Sequence, residues 1–254
     1  MSAVVAPLLV FDFDGVLVDG MPEYWWSARR AALRLNPDQL LPAAVPEAFR
    51  QLRPLIHRGW EMVLMAAELA RPDFDLAVTM GNYDAAVGQA LARRSRSVDQ
   101  IQTLLEDVRR EAIAEDADAW LELHRFYPGV PERLRQLTMG GCDWVVLTTK
   151  GSEFAHRILS AAALSPAAVY GHEQGSKPQV LGRLLADDPQ RPLWFLEDRR
   201  PTLERVRATS GLESVRCYLA AWGYLAPGDR HGLVARGIHW LEAERFAEPL
   251  ANWP

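Results

Sequence analysis

The stretch "LLVFDFDGVLVDG", residues 8–20, runs through apolar residues and sets two acids, Asp12 and Asp14, one residue apart before Gly15. A carboxylate at the end of a buried strand costs several kcal/mol unless something pairs with it. Four later runs resemble the first: "DWVVLT" (143–148), "AAVYG" (167–171), "PLWFLED" (192–198) and "VRCYLAAW" (215–222). Most are almost continuously apolar, the pattern of strands buried on both faces of a parallel sheet. Helix signals fall between them. "VPERLRQLT", "KPQVLGRLLAD" and "RPTLERVRAT" carry an early proline, and "SEFAHRILSAAAL" opens on a serine cap. Strand alternating with helix predicts an α/β fold with a doubly wound parallel sheet. "GIHWLEAERF" near the end reads as one more short strand with a polar end.

Residues of about 21 to 126 break this rhythm. "PEYWWSARRAALRL", "PEAFRQLRPLIHRGWEMVLMAAELA", "YDAAVGQALARR" and "SVDQIQTLLEDVRREAIAEDADAWLELHRF" repeat their apolar residues at helical spacing. The predicted organisation is therefore a core from residues 1–20 and 127–254, with a helical insert over 21–126.

Composition narrows the function classes. The chain has 254 residues, 49% hydrophobic and 24% charged, as in ordinary globular proteins. A formal net charge of −5 argues against nucleic acid as the main partner, because binding a phosphate backbone requires a basic surface. Two cysteines without a CxxC or Cys/His cluster predict buried thiols in a reducing compartment and no zinc site of the finger type. The apolar run Val4 to Phe11 is far too short to span a bilayer, so no membrane partner is expected and the cytoplasm is the simplest location.

Ligands of a parallel sheet gather where the strands end. The first strand ends in Asp12 and Asp14, the second in Thr148, Thr149 and Lys150, and the fourth in Glu197 and Asp198. The third leads to Lys177 through "HEQGSKP". Acids, a hydroxyl and a lysine meeting there suit Mg2+, a hard cation that takes oxygen ligands and engages substrate phosphate.

With "DFDGV", "VVLTTK", "GSKP" and "LWFLED" in this order, the chain resembles the haloacid dehalogenase-like (HAD) hydrolases. The resemblance spans the sheet domain and places the helical insert where the family carries a C1-type cap. It implies that Asp12 is the nucleophile forming an aspartyl-phosphate, Asp14 the general acid and base, Thr148 a donor to a phosphoryl oxygen, and Lys177 the charge-balancing cation. Asp198 is implied as a metal ligand, with the Asp12 carboxylate and the Asp14 backbone carbonyl. The implied activity is a Mg2+-dependent phosphatase acting on a small phosphorylated metabolite. A phosphomutase, or a binding protein that keeps the fold without catalysis, are the alternatives. Dehalogenase members lack the second acid, so Asp14 disfavours that chemistry.

The fourth motif departs from the family. Glu197 stands in the usual glycine position, and Thr202 where a second aspartate often follows. Two readings stay open: Glu197 reaches the metal or its water, or it turns aside to pair with Arg199 or Arg200. The second motif has Thr149 and Lys150 where relatives often have asparagine after the threonine, and both are expected near substrate. "EDRRPTL", "AAWGY" and "LRPLIHRGWEM" resemble a HAD-like branch of photosynthetic organisms, which specifies no substrate.

In capped members the cap chooses the substrate. Arg53, His57 and Glu61 are spaced i, i+4, i+8 and are expected to share one helix face as a substrate-reading row, provided Gly59 does not interrupt the helix. Tyr24 to Trp26 are expected to pack in the core, and "ARRSR" (92–96) to be a solvated helix end. His124, His156, His172, His231 and His239 show no ligand spacing. None of these features sets an oligomeric state.

Overall fold

The computed structural model describes residues 6–254. The chain divides into two compact units. One runs through Asp19 and resumes at Arg125–Pro254; the other is Gly20–His124.

The first unit is built on a six-stranded sheet. Its strands are β1 (Leu8–Phe11), β4 (Trp144–Leu147), β5 (Ala168–Tyr170), β6 (Leu193–Glu197), β7 (Arg216–Ala220) and β8 (Ile238–Leu241), in the order β5-β4-β1-β6-β7-β8. Two short strands, β2 (Val18–Asp19) and β3 (Arg125–Phe126), pair antiparallel beside it. Every neighbour within the large sheet is parallel. The fold is thus the doubly wound α/β class read from the apolar runs. From β1 the chain builds outward through β4 and β5, then returns to the other side of β1 at β6. That reversal puts the switch point of the winding beside the carboxyl end of β1, the ordinary place for a ligand in an open α/β sheet.

Both faces of the sheet are covered, which is why its strands are apolar without alternation. On one face Val10, Val145, Phe195, Cys217 and Leu219 pack with Val180, Leu181, Leu203 and Val206 from the helices Lys177–Asp187 and Arg200–Ala208. Each such side chain contributes about 1.5–3 kcal/mol by leaving water. The other face is aromatic. Phe11 meets Trp144 and Phe246 edge-on, and Tyr218 packs against Trp194 and Trp253. Cys142 and Cys217 are buried free thiols.

The second unit is helical: Met21–Leu35, Glu47–Leu52, Gly59–Leu69, Leu76–Gly81, Tyr83–Ala92, Val98–Glu115 and Ala117–Leu121. Val98–Glu115 opens on a capping box between Ser97 and Gln100, in which each side chain satisfies the other residue's backbone N–H. Trp25 is buried against Phe49, 5.0 Å between ring centroids, and its indole N–H donates to Pro42 O. Among the described residues no helix is long and apolar enough to cross a membrane.

One expectation for this unit fails. Residues 46–70 are not one helix: a single 3-10 turn follows Leu52 at Arg53–Leu55, Ile56 is extended, and a new helix begins at Gly59. Pro54 lacks the N–H that would continue the α-helix, and Gly59 lies within its successor's first turn rather than breaking it. "ARRSR" is the largely exposed helix end expected from the sequence, and it also reaches a buried acid. Arg93 and Arg94 both pair with the buried carboxylate of Glu68, at 2.5 and 3.2 Å.

Candidate active site

The site begins where β1 stops. Leu8–Phe11 is held between β4 and β6, and Asp12 N–H still donates to Leu196 O at 2.9 Å, so the ladder carries the first acid to the sheet's edge. Beyond it the strand does not stay extended. Phe13 O accepts from both Leu17 and Val18 N–H, and Asp14 bridges back to Val18. Gly15 makes this curl possible. Its φ is +97°, and a Cβ there would fall under 3.0 Å from the Asp198 carboxylate.

Around Asp12 the sheet's other carboxyl ends supply charge. Lys177 opens its helix after the Ser176 cap and reaches in, Nζ 2.8 Å from Asp12 Oδ1 and 2.5 Å from Glu197 Oε2. Glu197, the last residue of β6, also accepts at Oε1 from the N–H groups of Asp198 (3.2 Å) and Arg199 (3.1 Å). One Glu197 oxygen therefore meets the Arg199 backbone rather than its guanidinium, while the other holds Lys177. Asp198 accepts at Oδ2 from Tyr224 N–H, 2.9 Å. Thr148 follows β4, its N–H donating to Tyr170 O and its Oγ1 accepting from Lys150 N–H at 3.0 Å. Lys150 is buried with Nζ 3.4 Å from Asp14 Oδ1, an ion pair that lacks hydrogen-bond geometry. Thr149 between them is exposed.

Asp12, Lys177, Glu197 and Asp198 are thus linked through side-chain contacts at one end of the sheet, Asp14, Lys150 and Thr148 form a second linked set beside Asp12 in the chain, and all seven are buried. Arg53, His57 and Glu61 belong to the helical unit and, with the helix interrupted between them, do not form a continuous row. Glu61 instead accepts from His57 N–H at 2.8 Å and from the Tyr83 hydroxyl at 3.1 Å. Arg53 is buried over the Tyr24 ring and donates to its hydroxyl. Tyr24 and Trp25 pack in the core as expected, and Trp26 lies under the Arg30 guanidinium. His124 is buried with Nδ1 3.2 Å from Trp120 O; His156, His172 and His231 are exposed.

The electrostatics show what the site lacks. Four carboxylates share it with two lysines. Burial and then the neighbouring Glu197 charge push the Asp12 carboxyl up to about 7, against the pull of Lys177. Burial likewise raises Glu197, and its two carboxylate neighbours hold Lys177 above its ordinary value in spite of burial. Oxygen atoms of Asp12, Glu197 and Asp198 all lie within 4.8 Å of one another. An all-oxygen donor set with excess negative charge fits a hard divalent cation such as Mg2+.

Within "AAWGY" the sequence assigns no role to Trp222, Gly223 or Tyr224, although the Tyr224 N–H meets Asp198. The available signal was an aromatic-glycine-aromatic run at the carboxyl end of β7.

Comparison with known proteins bears on the family and the fold. Residues 7–185 match the model of the haloacid dehalogenase-like hydrolases. No curated protein matches the sequence. Among solved structures, the chain is similar to a "predicted phosphoglycolate phosphatase" from Haemophilus somnus 129PT, with TM-score 0.61, 20% identity and 95% of each chain covered. It is also similar to a haloacid dehalogenase-like family hydrolase from Streptococcus pneumoniae, with TM-score 0.58, 16% identity and 94% of each chain covered. A third likeness is to a "putative beta-phosphoglucomutase" from Thermotoga maritima, with TM-score 0.54, 17% identity and 95% and 96% covered. At these identities the structural likeness establishes the fold. With the family model covering more than half of its length, this chain belongs to the haloacid dehalogenase-like hydrolases.

Proposed function

We propose that the protein is a Mg2+-dependent phosphatase that hydrolyses a small phosphate monoester through an aspartyl-phosphate. The observation that carries this reading is the meeting of three buried carboxylates, Asp12, Glu197 and Asp198, with Lys177 held between two of them. Asp12 and Asp198 would hold the cation with the Asp14 backbone carbonyl. Glu197, whose two oxygens are already engaged, would approach it through a water. Bound Mg2+ would neutralise charge on the phosphoryl oxygens and bring the anionic ester against Asp12.

The Asp12 carboxylate attacks phosphorus, and the bond to the ester oxygen breaks. Asp14, protonated at that moment, gives its proton to the leaving oxygen. It then takes a proton from the water that attacks the acyl phosphate, releasing inorganic phosphate and regenerating Asp12. Lys177 favours the ionised Asp12 through their 2.8 Å contact. Thr148 Oγ1 accepts from Lys150 N–H, so its own hydrogen is available to a phosphoryl oxygen.

Purified protein with Mg2+ and an aryl phosphate should release phosphate, and Asp12→Asn should not. Equal inertness of wild type and variant over a broad panel of phosphometabolites would favour a binding protein. Turnover that requires a sugar bisphosphate would favour a phosphomutase.

A further inference from the structure

β7 ends at Ala220, and the residues that follow turn back over the acids. The Trp222 indole N–H donates to Val16 O at 2.9 Å. Tyr224 makes two bonds in opposite directions: its backbone N–H to Asp198 Oδ2, 2.9 Å, and its hydroxyl to Asp19 Oδ1, 2.5 Å. Between the aromatics, Gly223 leaves no room for a side chain. A Cβ there would fall under 3.0 Å from Asp198 Cβ and lie 2.5 Å from Gly15 O. Gly15 and Gly223 thus flank Asp198 from two sides, and both flanking segments are joined by hydrogen bonds made by side chains of one short loop.

We propose that Trp222, Gly223 and Tyr224 form a brace that fixes the orientation of Asp198, with Tyr224 as a positioning residue for the metal site. This rests on the reading above only in taking Asp198 as a ligand. An aspartate turns about both χ1 and χ2 and can rotate its carboxylate away from its partners. Pinning one oxygen by a backbone N–H sets the plane in which the group meets Asp12 and Glu197. That N–H is itself placed by the Tyr224 hydroxyl on Asp19 and the Trp222 indole on Val16, both in the segment that leaves Asp14. The brace therefore ties Asp198, just past β6, to the turn that follows Asp12 and Asp14, so that the distances among donor atoms are set together. Groups that orient metal ligands in this way typically change metal affinity by about 10–100-fold when removed.

The test is calorimetric titration of Mg2+ into the full chain, compared across wild type, Tyr224→Phe, Gly223→Ala and Leu233→Ala. Leu233 lies in the core of the same unit among Val215, Cys217 and Ile238 and makes none of the brace's hydrogen bonds, so its truncation reports loss of stability alone. Tyr224→Phe should weaken Mg2+ binding by about 10-fold and Gly223→Ala by more, toward about 100-fold. Leu233→Ala should lower the melting temperature and leave Mg2+ affinity unchanged. If both loop variants bind Mg2+ as tightly as wild type, the brace is wrong while the metal reading stands. If Leu233→Ala weakens binding as much as Tyr224→Phe, the loop acts only through stability and the brace is again wrong. If wild type itself binds no Mg2+, the metal reading and the brace fall together.

Discussion

The two units treat buried charge differently. In the helical unit, Glu23 is fully buried and receives a two-pronged guanidinium, Arg109 Nε at 2.7 Å and Nη2 at 2.9 Å, with the Ser27 hydroxyl as a third donor. Glu68 gathers three arginines, Arg71, Arg93 and Arg94. Each buried acid there is met by donors of matching geometry. In the sheet unit, four buried carboxylates face two lysines, and Asp14 Oδ1 finds no hydrogen-bond donor among the described residues. Charge that is fully answered from within holds a fold. Charge left in excess at the end of a sheet marks where a cation and an anionic substrate are expected.

This contrast can be broken from either side. The largest effect should come from Asp12→Asn, which removes the nucleophile and should lower phosphate release by at least about 10^4-fold, the scale seen when a covalent step is lost. A residual rate near wild type would remove Asp12 from the chemistry. Glu23→Ala should act on stability instead. It leaves Arg109 buried and unpaired, at a cost of about 3–5 kcal/mol in chemical denaturation, with Mg2+ affinity untouched. A cost near zero would mean that the pair is not what holds the helical unit. Glu197→Gln should loosen Lys177 and the outer ring of the metal site, raising the Mg2+ needed for half-maximal activity by about 10-fold. An unchanged requirement would take Glu197 out of the metal's surroundings.

The smallest effect is a pH dependence of the chelator-treated protein. Folding raises the Asp12 carboxyl from its ordinary value to about 7, and Glu197 moves in the same direction. A raised carboxyl favours the fold while it is protonated, so its contribution is complete below the ordinary carboxylate range and lost as pH rises through about 7. Lys177, itself shifted upward, stays protonated across that window. The melting temperature without metal should therefore fall between pH 5 and pH 8, and added Mg2+ should recover more of it at pH 8. A melting temperature that rises with pH over this window would contradict the charge imbalance.

Much of the sheet unit was legible in the sequence because its signals are local. A strand buried on both faces must be apolar, so β1, β4, β5 and β6 are visible as runs, and the residues just past each run are the ones the sheet brings together. The helical unit was legible in kind but not in its joints. Leu76–Gly81 is too short to show a period, and the interruption between Leu52 and Gly59 follows from Pro54, which has no N–H to continue the helix. The pairing of Arg93 and Arg94 with Glu68, some 25 residues upstream, has no local signature at all. Nor does the brace at Trp222 to Tyr224, whose partners Val16 and Asp19 lie about two hundred residues earlier.

The most direct test of the account is whether Asp12 becomes phosphorylated. Protein mixed with Mg2+ and an aryl phosphate, quenched in acid within one turnover and analysed by peptide mass spectrometry, should carry one phosphoryl group on the peptide containing Asp12. The adduct should be absent in Asp12→Asn. Phosphate release by an enzyme that never carries that adduct, with the Asp12→Asn variant still turning over, would contradict it.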